Sequence, residues 1–319
     1  VPLGTFLSGG IDSSLITALL NKKSSNRIKT FTIGFEDESF NEAPYASAVA
    51  NHLGTNHNET IISSNDILDV IPKLPQIFSE PFADSSQLPT YVVCREARLN
   101  GLKVALSGDG GDELFGGYNR YFWSQKIWEK ISWLPFNARK TIGSMNLMIP
   151  ADVWELLKMN FKVQRFGQKV HKMSERMKHV KSIDELYLSL ISEWNNPMSL
   201  IRSDENDIIE VEYNYNIEIP SDIKENQALM MMYKDTLGYL PNDILTKVDR
   251  ASMSVGLETR APFLDHEVAQ MAWQMPIDMK IRKNKNKHLI GKWALREILN
   301  KYLPQELIDR PKTGFGIPI

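Results

Sequence analysis

The first residues that could do chemistry are the octet at positions 7–14, which reads Leu-Ser-Gly-Gly-Ile-Asp-Ser-Ser. Its two adjacent glycines allow a sharp turn and a close backbone approach to a ligand. The apolar run after it predicts a helix, whose first N–H groups carry a partial positive charge. Three hydroxyl groups stand beside that turn, at Ser8, Ser13 and Ser14. Together these features predict an anion cradle suited to phosphate.

Asp12 is unusual in such a cradle, because a carboxylate repels phosphate unless a cation lies between them. A Mg²⁺ ion between Asp12 and the phosphate oxygens would remove this conflict. The octet is not a Walker loop, since no lysine follows its glycines. An ordinary Gly-Gly turn, capped by Asp and Ser side chains, is the alternative interpretation of the octet alone.

A second cluster, at 107–118, reads Ser-Gly-Asp-Gly-Gly-Asp-Glu-Leu-Phe-Gly-Gly-Tyr. Its glycines favour a loop that approaches a polyphosphate, and its carboxylates suit a metal ion. We expect Asp112 to be the second Mg²⁺ carboxylate, paired with Asp12. The alternative is that Asp112 only caps a helix.

Two further segments carry candidate groups. Positions 242–265 interleave charges of both signs with apolar residues, which indicates a half-buried polar network, although a solvated face would show a similar pattern. Lys312 lies in the glycine-containing segment 310–316. The alternative for Lys312 is a surface lysine in a tail.

The elements that position these residues alternate between strand and helix. We predict four strands, at 4–7, 29–35, 58–62 and 103–106, with helices between them. This order predicts an α/β fold with a doubly wound, mostly parallel sheet. Ligands bind such sheets beyond the carboxyl ends of the strands, so the loops at Ser8, Gly34 and Ser107 should meet there.

The character of the chain changes after Tyr118. Aromatic and aliphatic residues recur at helical spacing, and no convincing strand is visible. We therefore predict two parts, an α/β nucleotide-binding part at 1–118 and a large all-helical C-terminal part at 119–319 that completes the active site.

Composition excludes several classes of protein. Lys plus Arg is 37 and Asp plus Glu is 39, which argues against a nucleic-acid-binding surface over the whole chain. No apolar run approaches the roughly 20 residues of a membrane span. Cys94 is the single cysteine, so it cannot form an internal disulfide, and a cytoplasmic setting is expected. The ends at Val1 and Ile319 suggest a fragment of a longer protein.

The octet resembles the pyrophosphate-binding loop of N-type ATP pyrophosphatases. Taken together, the motifs resemble the synthetase domain of glutamine-hydrolysing asparagine synthetases, the asparagine synthase family. The resemblance spans almost the whole chain, through the segments 1–14, 31–35, 39–46, 80–84, 107–118, 247–250, 257–265, 292–296 and 310–312. It implies a nucleotide-binding fold of the adenine nucleotide alpha hydrolase-like, or HUP, type.

The chemistry that this resemblance implies has two stages. ATP adenylates the side-chain carboxylate of aspartate, giving β-aspartyl-AMP and pyrophosphate, and ammonia then displaces AMP to give asparagine. In the family, ammonia comes from an N-terminal glutaminase domain that is absent from these residues. The chain alone is therefore expected to use free ammonia.

The resemblance also implies roles for single residues. Pyrophosphate would be held by Ser8, Gly9, Gly10, Asp12, Ser13 and Ser14, and Mg²⁺ by Asp12 and Asp112. Leu7 and Ile33 would bracket adenine through their backbone, with Ser107 and Gly108 near the ribose and α-phosphate. Lys312 would neutralise charge on the α-phosphate, assisted by Lys247. Asp109 matches a position linked to amine attack, where other members carry Glu and related β-lactam synthetases Tyr, and Asp243 would be its acidic partner.

The sequence leaves the substrate open. Aspartate is the first candidate, and another carboxylate, in surface polysaccharide or natural-product synthesis, is the second. A non-catalytic binding module is a third candidate. The expected partners are small molecules, ATP and Mg²⁺ among them, and neither nucleic acid nor a membrane; a homodimer is compatible with the sequence.

Overall fold

The structure is a computed structural model that describes residues 1–38, 40–156, 166–192, 218–284 and 288–309. The chain forms two compact units. Val1–Tyr118 and Met232–Ile319 form the first unit, and Asn119–Met231 forms the second. In the described ranges, no helix has both the length and the apolar character needed to cross a membrane.

The first unit is built on a five-stranded sheet in the order β3-β2-β1-β4-β5, in which every neighbouring pair is parallel. Its strands are β1 Leu3–Phe6, β2 Lys29–Phe35, β3 Asn56–Ile62, β4 Val104–Leu106 and β5 Glu258–Arg260. The order reverses between β1 and β4, which makes this the topological switch point of the sheet. The predicted α/β class with a parallel sheet and a largely helical remainder is confirmed.

Strand β5 corrects the expectation that no strand follows Tyr118. It pairs with β4 over three residues, from Glu258 opposite Val104 to Arg260 opposite Leu106. Its sequence, Glu-Thr-Arg, contains no apolar residue, so neither alternation nor an apolar run identifies it. Two short antiparallel strands, β6 Arg282–Lys283 and β7 Leu289–Ile290, were also missed for lack of length.

Helices cover both faces of the sheet. In the first part of the chain they are α1 Ile11–Lys23, α2 Ala43–Leu53, α3 Ser64–Leu68, α4 Leu74–Ile77, α5 Gln87–Leu99 and α6 Gly111–Phe115. One core cluster, containing Leu7, joins the sheet to α1, α2 and α6. The other, containing Phe31 and Ile33, joins it to α3 and α5, and Cys94 is fully buried there. Both core clusters therefore pack against the sheet near the β1–β4 switch point.

The second unit is helical where it is described. Its helices are α7 Arg120–Ile131, α8 Phe136–Met148, α9 Ala151–Leu156, α10 Phe166–His179, α11 Ile183–Ile191 and α12 Ser221–Glu225, and α13 Gln227–Lys234 crosses its boundary. Arg139 lies buried in it, over the Trp128 ring, and donates to the carbonyl oxygens of Leu134 and Val180 at 3.1 and 2.9 Å. Through these two hydrogen bonds, Arg139 connects the segment after α7 with the residue that follows α10.

The chain re-enters the first unit through a π-helix, Asp235–Leu245, that continues directly into α14 Thr246–Met253. Pro241 lies inside the π-helix, where it lacks the N–H group that a regular helix would use. The remaining helices are α15 His266–Gln274, α16 Ile277–Lys280, α17 Trp293–Leu299 and α18 Gln305–Ile308. The wide turns of a π-helix such as Asp235–Leu245 often lie at functional sites.

Lys280, at the end of α16, is a buried cation with unusual surroundings. The residue is 0 % exposed, and its Nζ has no hydrogen-bond partner among the described residues. The ammonium lies 4.7 Å from the centroid of the Trp273 ring, which offers a cation–π contact. Burial lowers the pKa of Lys280 to about 8.

Replacing Lys280 by Met is expected to raise the free energy of unfolding at pH 7 by about 1–2 kcal/mol, because the change removes a desolvated charge at the loss of one cation–π contact. The wild-type amine deprotonates near pH 8 when folded and near 10.4 when unfolded, so wild-type stability should rise with pH between these values. The advantage of the variant should therefore shrink from pH 7 to pH 9.5. Urea unfolding at several pH values measures it, with Lys283→Met at an exposed position as the control. A variant advantage that grows with pH would contradict this assignment.

Candidate active site

The octet forms the predicted tight turn between β1 and α1. The Ser8 N–H donates to Ser13 Oγ at 3.2 Å, and the Gly10 N–H donates to Ser8 Oγ at 3.3 Å. Gly9 has a φ of 71°, and a Cβ there would lie 2.8 Å from the carbonyl carbon of Tyr45. Gly10 is the N-cap of α1 and offers no side-chain oxygen to the first N–H groups. Those groups can therefore serve an anion held at the turn.

The loops that follow β1 and β4 touch at this point. A Cβ on Gly108 would lie 2.9 Å from Cβ of Asp12, and one on Gly111 would lie 2.6 Å from Asp12 Oδ1. Any larger residue at either glycine would displace the carboxylate. The glycines of the second cluster therefore admit Asp12. Of the three loops predicted to meet, those at Ser8 and Ser107 are in contact. Gly34 was predicted to lie in a loop but lies within β2.

Asp12 and Asp112 are brought together through a third residue, Lys292, which immediately precedes α17. Lys292 Nζ lies 2.8 Å from Asp112 Oδ1 and forms an ion pair with Asp12 Oδ2. The side chains of Lys292, Asp12 and Asp112 are 6, 16 and 20 % exposed, so the cluster is largely shielded from solvent. Burial disfavours the charged amine, but the two carboxylates outweigh it and raise the pKa of Lys292 above its ordinary value.

The backbone of Lys292 is strained. Its φ of 58° and ψ of 36° are left-handed, and it is the only described non-glycine residue with a positive φ. Such a conformation costs about 1–2 kcal/mol and persists where surrounding contacts fix it. Here the Lys292 N–H donates to the carbonyl oxygen of Phe115 at 3.0 Å. Gly117 leaves the space that Lys292 Cε and Asp112 Oδ1 occupy.

The residues fit a Mg²⁺–phosphate ligand. Carboxylate oxygens are the ligands Mg²⁺ prefers, and Mg²⁺ commonly takes one or two carboxylates together with phosphate oxygens and water. The described residues contain no cluster of three or more His, Cys, Asp or Glu that could hold a metal alone. The described residues could therefore contribute two carboxylates, Asp12 and Asp112, to such a site.

Asp109 lies half-buried in the same loop as Asp112. Burial raises the pKa of Asp109 above its ordinary value, and the charges of Asp12 and Asp112 act in the same direction. The neighbouring Ser107 hydroxyl and the charge of Lys247 offset this rise only in part. A carboxyl whose pKa is raised in this way is protonated more readily than an ordinary aspartate, which makes Asp109 a candidate for proton transfer.

Lys247, on α14, has its ammonium buried against the segment before α5. Its Nζ donates to Ser86 Oγ at 2.8 Å and forms an ion pair with Asp84. Asp84 also accepts hydrogen bonds from the N–H and hydroxyl of Ser86, both at 2.8 Å. Burial alone would raise the pKa of Asp84, but Lys247 and these hydrogen bonds lower it. Lys247 therefore holds this segment while its charge acts on Asp109.

Glu113 is a second buried carboxyl of this loop. It is 1 % exposed and accepts a hydrogen bond of 2.8 Å from the Tyr118 hydroxyl. Burial raises the pKa of Glu113 to about 7, with Asp112 adding to the effect. Glu113 lies in the first turn of α6.

A cavity of about 480 Å³ opens beside Asp109. Its walls come from the ends of β4 and β5, the end of the π-helix and α14. They include Ser107, Asp109, Val248, Asp249, Thr259 and Arg260. Its lining includes the charged side chains of Asp109, Asp249 and Arg260, so the cavity suits a small polar reactant.

The structure places the other predicted site residues as follows. Leu7 and Ile33 have buried side chains on β1's end and on β2, so only their backbone is available for an adenine contact. Ser14 is 1 % exposed, and its hydroxyl has no hydrogen-bond partner among the described residues. Asp243 lies half-buried on the π-helix, one turn before Lys247.

Lys312 lies outside the described residues. The last described residue before it, Asp309, is held firmly: its carboxylate accepts hydrogen bonds from Arg296 Nη1 and Gln305 Nε2, both at 2.8 Å. The role predicted for Lys312 stays a prediction.

Sequence reasoning missed Lys292 and Asp84 as site residues. Both stand in segments that carried the family resemblance, yet neither was given a role. The local sequence Gly-Lys-Trp contains no pattern that indicates a buried lysine. The contact of Lys292 with Asp12 joins residues that are 280 positions apart in the chain. Only the density of matched motifs around Lys292 could have drawn attention to it.

Comparison with known proteins shows similarity along the whole chain. A family model described as asparagine synthase matches residues 1–319. Asparagine synthetase [glutamine-hydrolyzing] 1 of Bacillus subtilis is 32 % identical over 328 residues, covering 100 % of this chain and 47 % of that protein. A putative asparagine synthetase of Mycobacterium tuberculosis H37Rv is 31 % identical over 327 residues, with 100 and 45 % covered. The bovine asparagine synthetase is 26 % identical over 326 residues, with 98 and 39 % covered. The chain thus spans about half the length of the curated relatives it matches.

Proposed function

The chain belongs to the asparagine synthase family, and on that basis we propose that it is an ATP-dependent ligase that joins ammonia to a carboxylate. The observation that carries this proposal is the meeting of three groups at the β1–β4 switch point: the Ser8–Ser14 turn, the Asp12–Asp112 pair and Asp109. A carboxylate oxygen of the substrate attacks the α-phosphorus of ATP, and pyrophosphate leaves. Ammonia then attacks the acyl carbon, and AMP leaves.

The chain's own residues divide this work. Ser8, Gly10 and the first N–H groups of α1 receive the leaving pyrophosphate at the tight turn. Asp12 and Asp112 would hold Mg²⁺, which would neutralise charge on the phosphate chain. Gly108 lies next to Asp12, and Ser107 and Gly108 are proposed to contact the nucleotide's ribose and α-phosphate.

The second stage needs a group that manages the proton of the attacking amine. Asp109 is suited to this task because its carboxyl is half-buried, has a raised pKa and adjoins the cavity. Lys247 tempers that pKa, and Lys312 is proposed to offset charge on the α-phosphate. Asp243 is proposed to act as the acidic partner of Asp109.

We propose aspartate as the substrate, with asparagine, AMP and pyrophosphate as products. Proteins named asparagine synthetase cover the whole chain at about 30 % identity, which supports this choice. Supply of ammonia by a glutaminase domain, as the names of these relatives indicate, is a proposal for the full-length protein. The alternative is the same adenylating chemistry on another carboxylate, because no described residue is assigned to the recognition of aspartate.

The test of the substrate is ATP–pyrophosphate exchange with the purified chain, which reports the first stage alone. We expect exchange that requires both Mg²⁺ and aspartate, and formation of asparagine when an ammonium salt is added. Glutamate and succinate serve as controls, since each carries a carboxylate in a frame of different length or charge. Exchange with another acid and none with aspartate would favour the alternative substrate. Nucleotide binding without exchange for any acid would favour a non-catalytic module.

A further inference from the structure

The carboxylates assigned to Mg²⁺ already share one cation of the protein. Lys292 Nζ contacts Asp12 and Asp112 at once, at 2.8 Å in the case of Asp112, and the lysine is 5 % exposed. One ammonium therefore stands where a cation bridging these two carboxylates would stand. The pair can face Lys292 or a divalent cation, but both carboxylates cannot keep their contacts with Lys292 while they ligate a metal.

Lys292 is built into this position rather than reaching it by chance. Its backbone is left-handed, its N–H is fixed by the carbonyl oxygen of Phe115 at 3.0 Å, and its carbonyl oxygen accepts from the Arg296 N–H at 2.9 Å. Gly117 leaves room for Lys292 Cε. A chance contact between a surface lysine and two carboxylates would require none of these features.

Charge decides what can replace the ammonium. Two carboxylates and Lys292 leave a net charge of about −1 in a largely buried cluster, and a buried ammonium that loses its partners is strongly destabilised. Mg²⁺ alone would find two protein carboxylates and would leave Lys292 without an anion. A phosphate chain brings oxygen ligands for the metal and negative charge for Lys292 together.

We propose that Lys292 and the divalent cation compete for Asp12 and Asp112, so that the metal binds tightly only together with the phosphate chain of the nucleotide. Lys292 is then a positioning residue: it keeps the carboxylates paired and apart from free metal, and it passes to the phosphate oxygens when metal and nucleotide arrive. By reciprocity, the nucleotide must raise the affinity for the metal by the same factor by which the metal raises the affinity for the nucleotide.

The test is a titration of nucleotide-free protein with Mn²⁺, followed by electron paramagnetic resonance. The Lys292→Met variant should bind Mn²⁺ at least about tenfold more tightly than the wild type, within the usual range of coupling between sites. Adding Asp112→Asn to that variant should abolish the gain. Lys301→Met, at an exposed position after α17, is the matched control and should behave like the wild type.

Equal Mn²⁺ affinity of folded Lys292→Met and the wild type would overturn the proposal. If Lys292→Met does not fold, the wild type decides: a nucleotide-free Mn²⁺ site that disappears in Asp12→Asn would overturn the proposal, and its absence would support it. The inference rests on the proposed function only in taking the ligand that binds together with the metal to be a nucleotide. Failure of ATP–pyrophosphate exchange with every acid would refute the proposed function and would leave these titrations unchanged.

Discussion

Replacing Asp12 by Asn is expected to lower the rate of Mg²⁺-dependent ATP–pyrophosphate exchange by about a thousandfold, as for the loss of a group that stabilises charge in the transition state. Asn keeps the shape of the side chain, so it still fits against Gly108 and Gly111. It removes one of the two carboxylates proposed to hold Mg²⁺. The fold should survive, since Lys292 keeps its contact with Asp112.

The measurement is exchange with the acid that the wild type accepts, together with circular dichroism to verify the fold. Asp278→Asn is the matched control, because Asp278 is an exposed aspartate in the first turn of α16. Raising the Mg²⁺ concentration should recover part of the lost rate if the variant still binds the metal weakly through Asp112. Exchange at the wild-type rate would remove Asp12 from the mechanism.

Replacing Lys247 by Met is expected to lower the free energy of unfolding by about 3–5 kcal/mol, the usual cost of breaking a buried ion pair from one side. The variant leaves Asp84, whose side chain is 22 % exposed, without its cation. Adding Asp84→Asn should recover a large part of the loss, because the double variant no longer buries an unpaired charge. Urea unfolding of the two single variants and the double variant completes the cycle.

The pH dependence of this pair has a defined sign. Lys247 and Ser86 lower the pKa of Asp84, so the stabilisation is complete above the ordinary aspartate pKa of about 3.9 and is lost as the pH falls through the lower folded value. The destabilisation caused by Lys247→Met should therefore be constant from pH 5 to pH 8 and should diminish in acid. Additive effects of Lys247→Met and Asp84→Asn would show that the ion pair contributes nothing to stability.

The parts of the fold that local patterns determine could be predicted from the sequence. β2 is an example: Lys29–Phe35 is rich in β-branched and aromatic residues, and the structure has the strand at the predicted bounds. The contact between the loops after β1 and β4 could also be predicted, because the carboxyl ends of parallel strands lie at one edge of the sheet. The Asp12–Asp112 pair could therefore be proposed before any distance was known.

The parts that depend on distant contacts could not. β5 is a strand because β4 offers it an edge, and its three polar residues carry no signal of their own. Lys292 is a site residue because α17 packs against α1, which brings its ammonium to Asp12. No local pattern distinguishes that lysine from an exposed one.

The pairing of β4 with β5 has a consequence for synthesis on the ribosome. These strands are neighbours in the sheet, yet the whole Asn119–Met231 unit separates them in the chain. While the nascent chain is incomplete, β4 presents an unpaired edge, and such edges favour aggregation. Lys292 emerges later still, so Asp12 and Asp112 stay without their shared cation until the C-terminal helices are made. We therefore expect ribosome-bound chains that end before β5 to depend on chaperones and chains extended beyond α17 to be released from them.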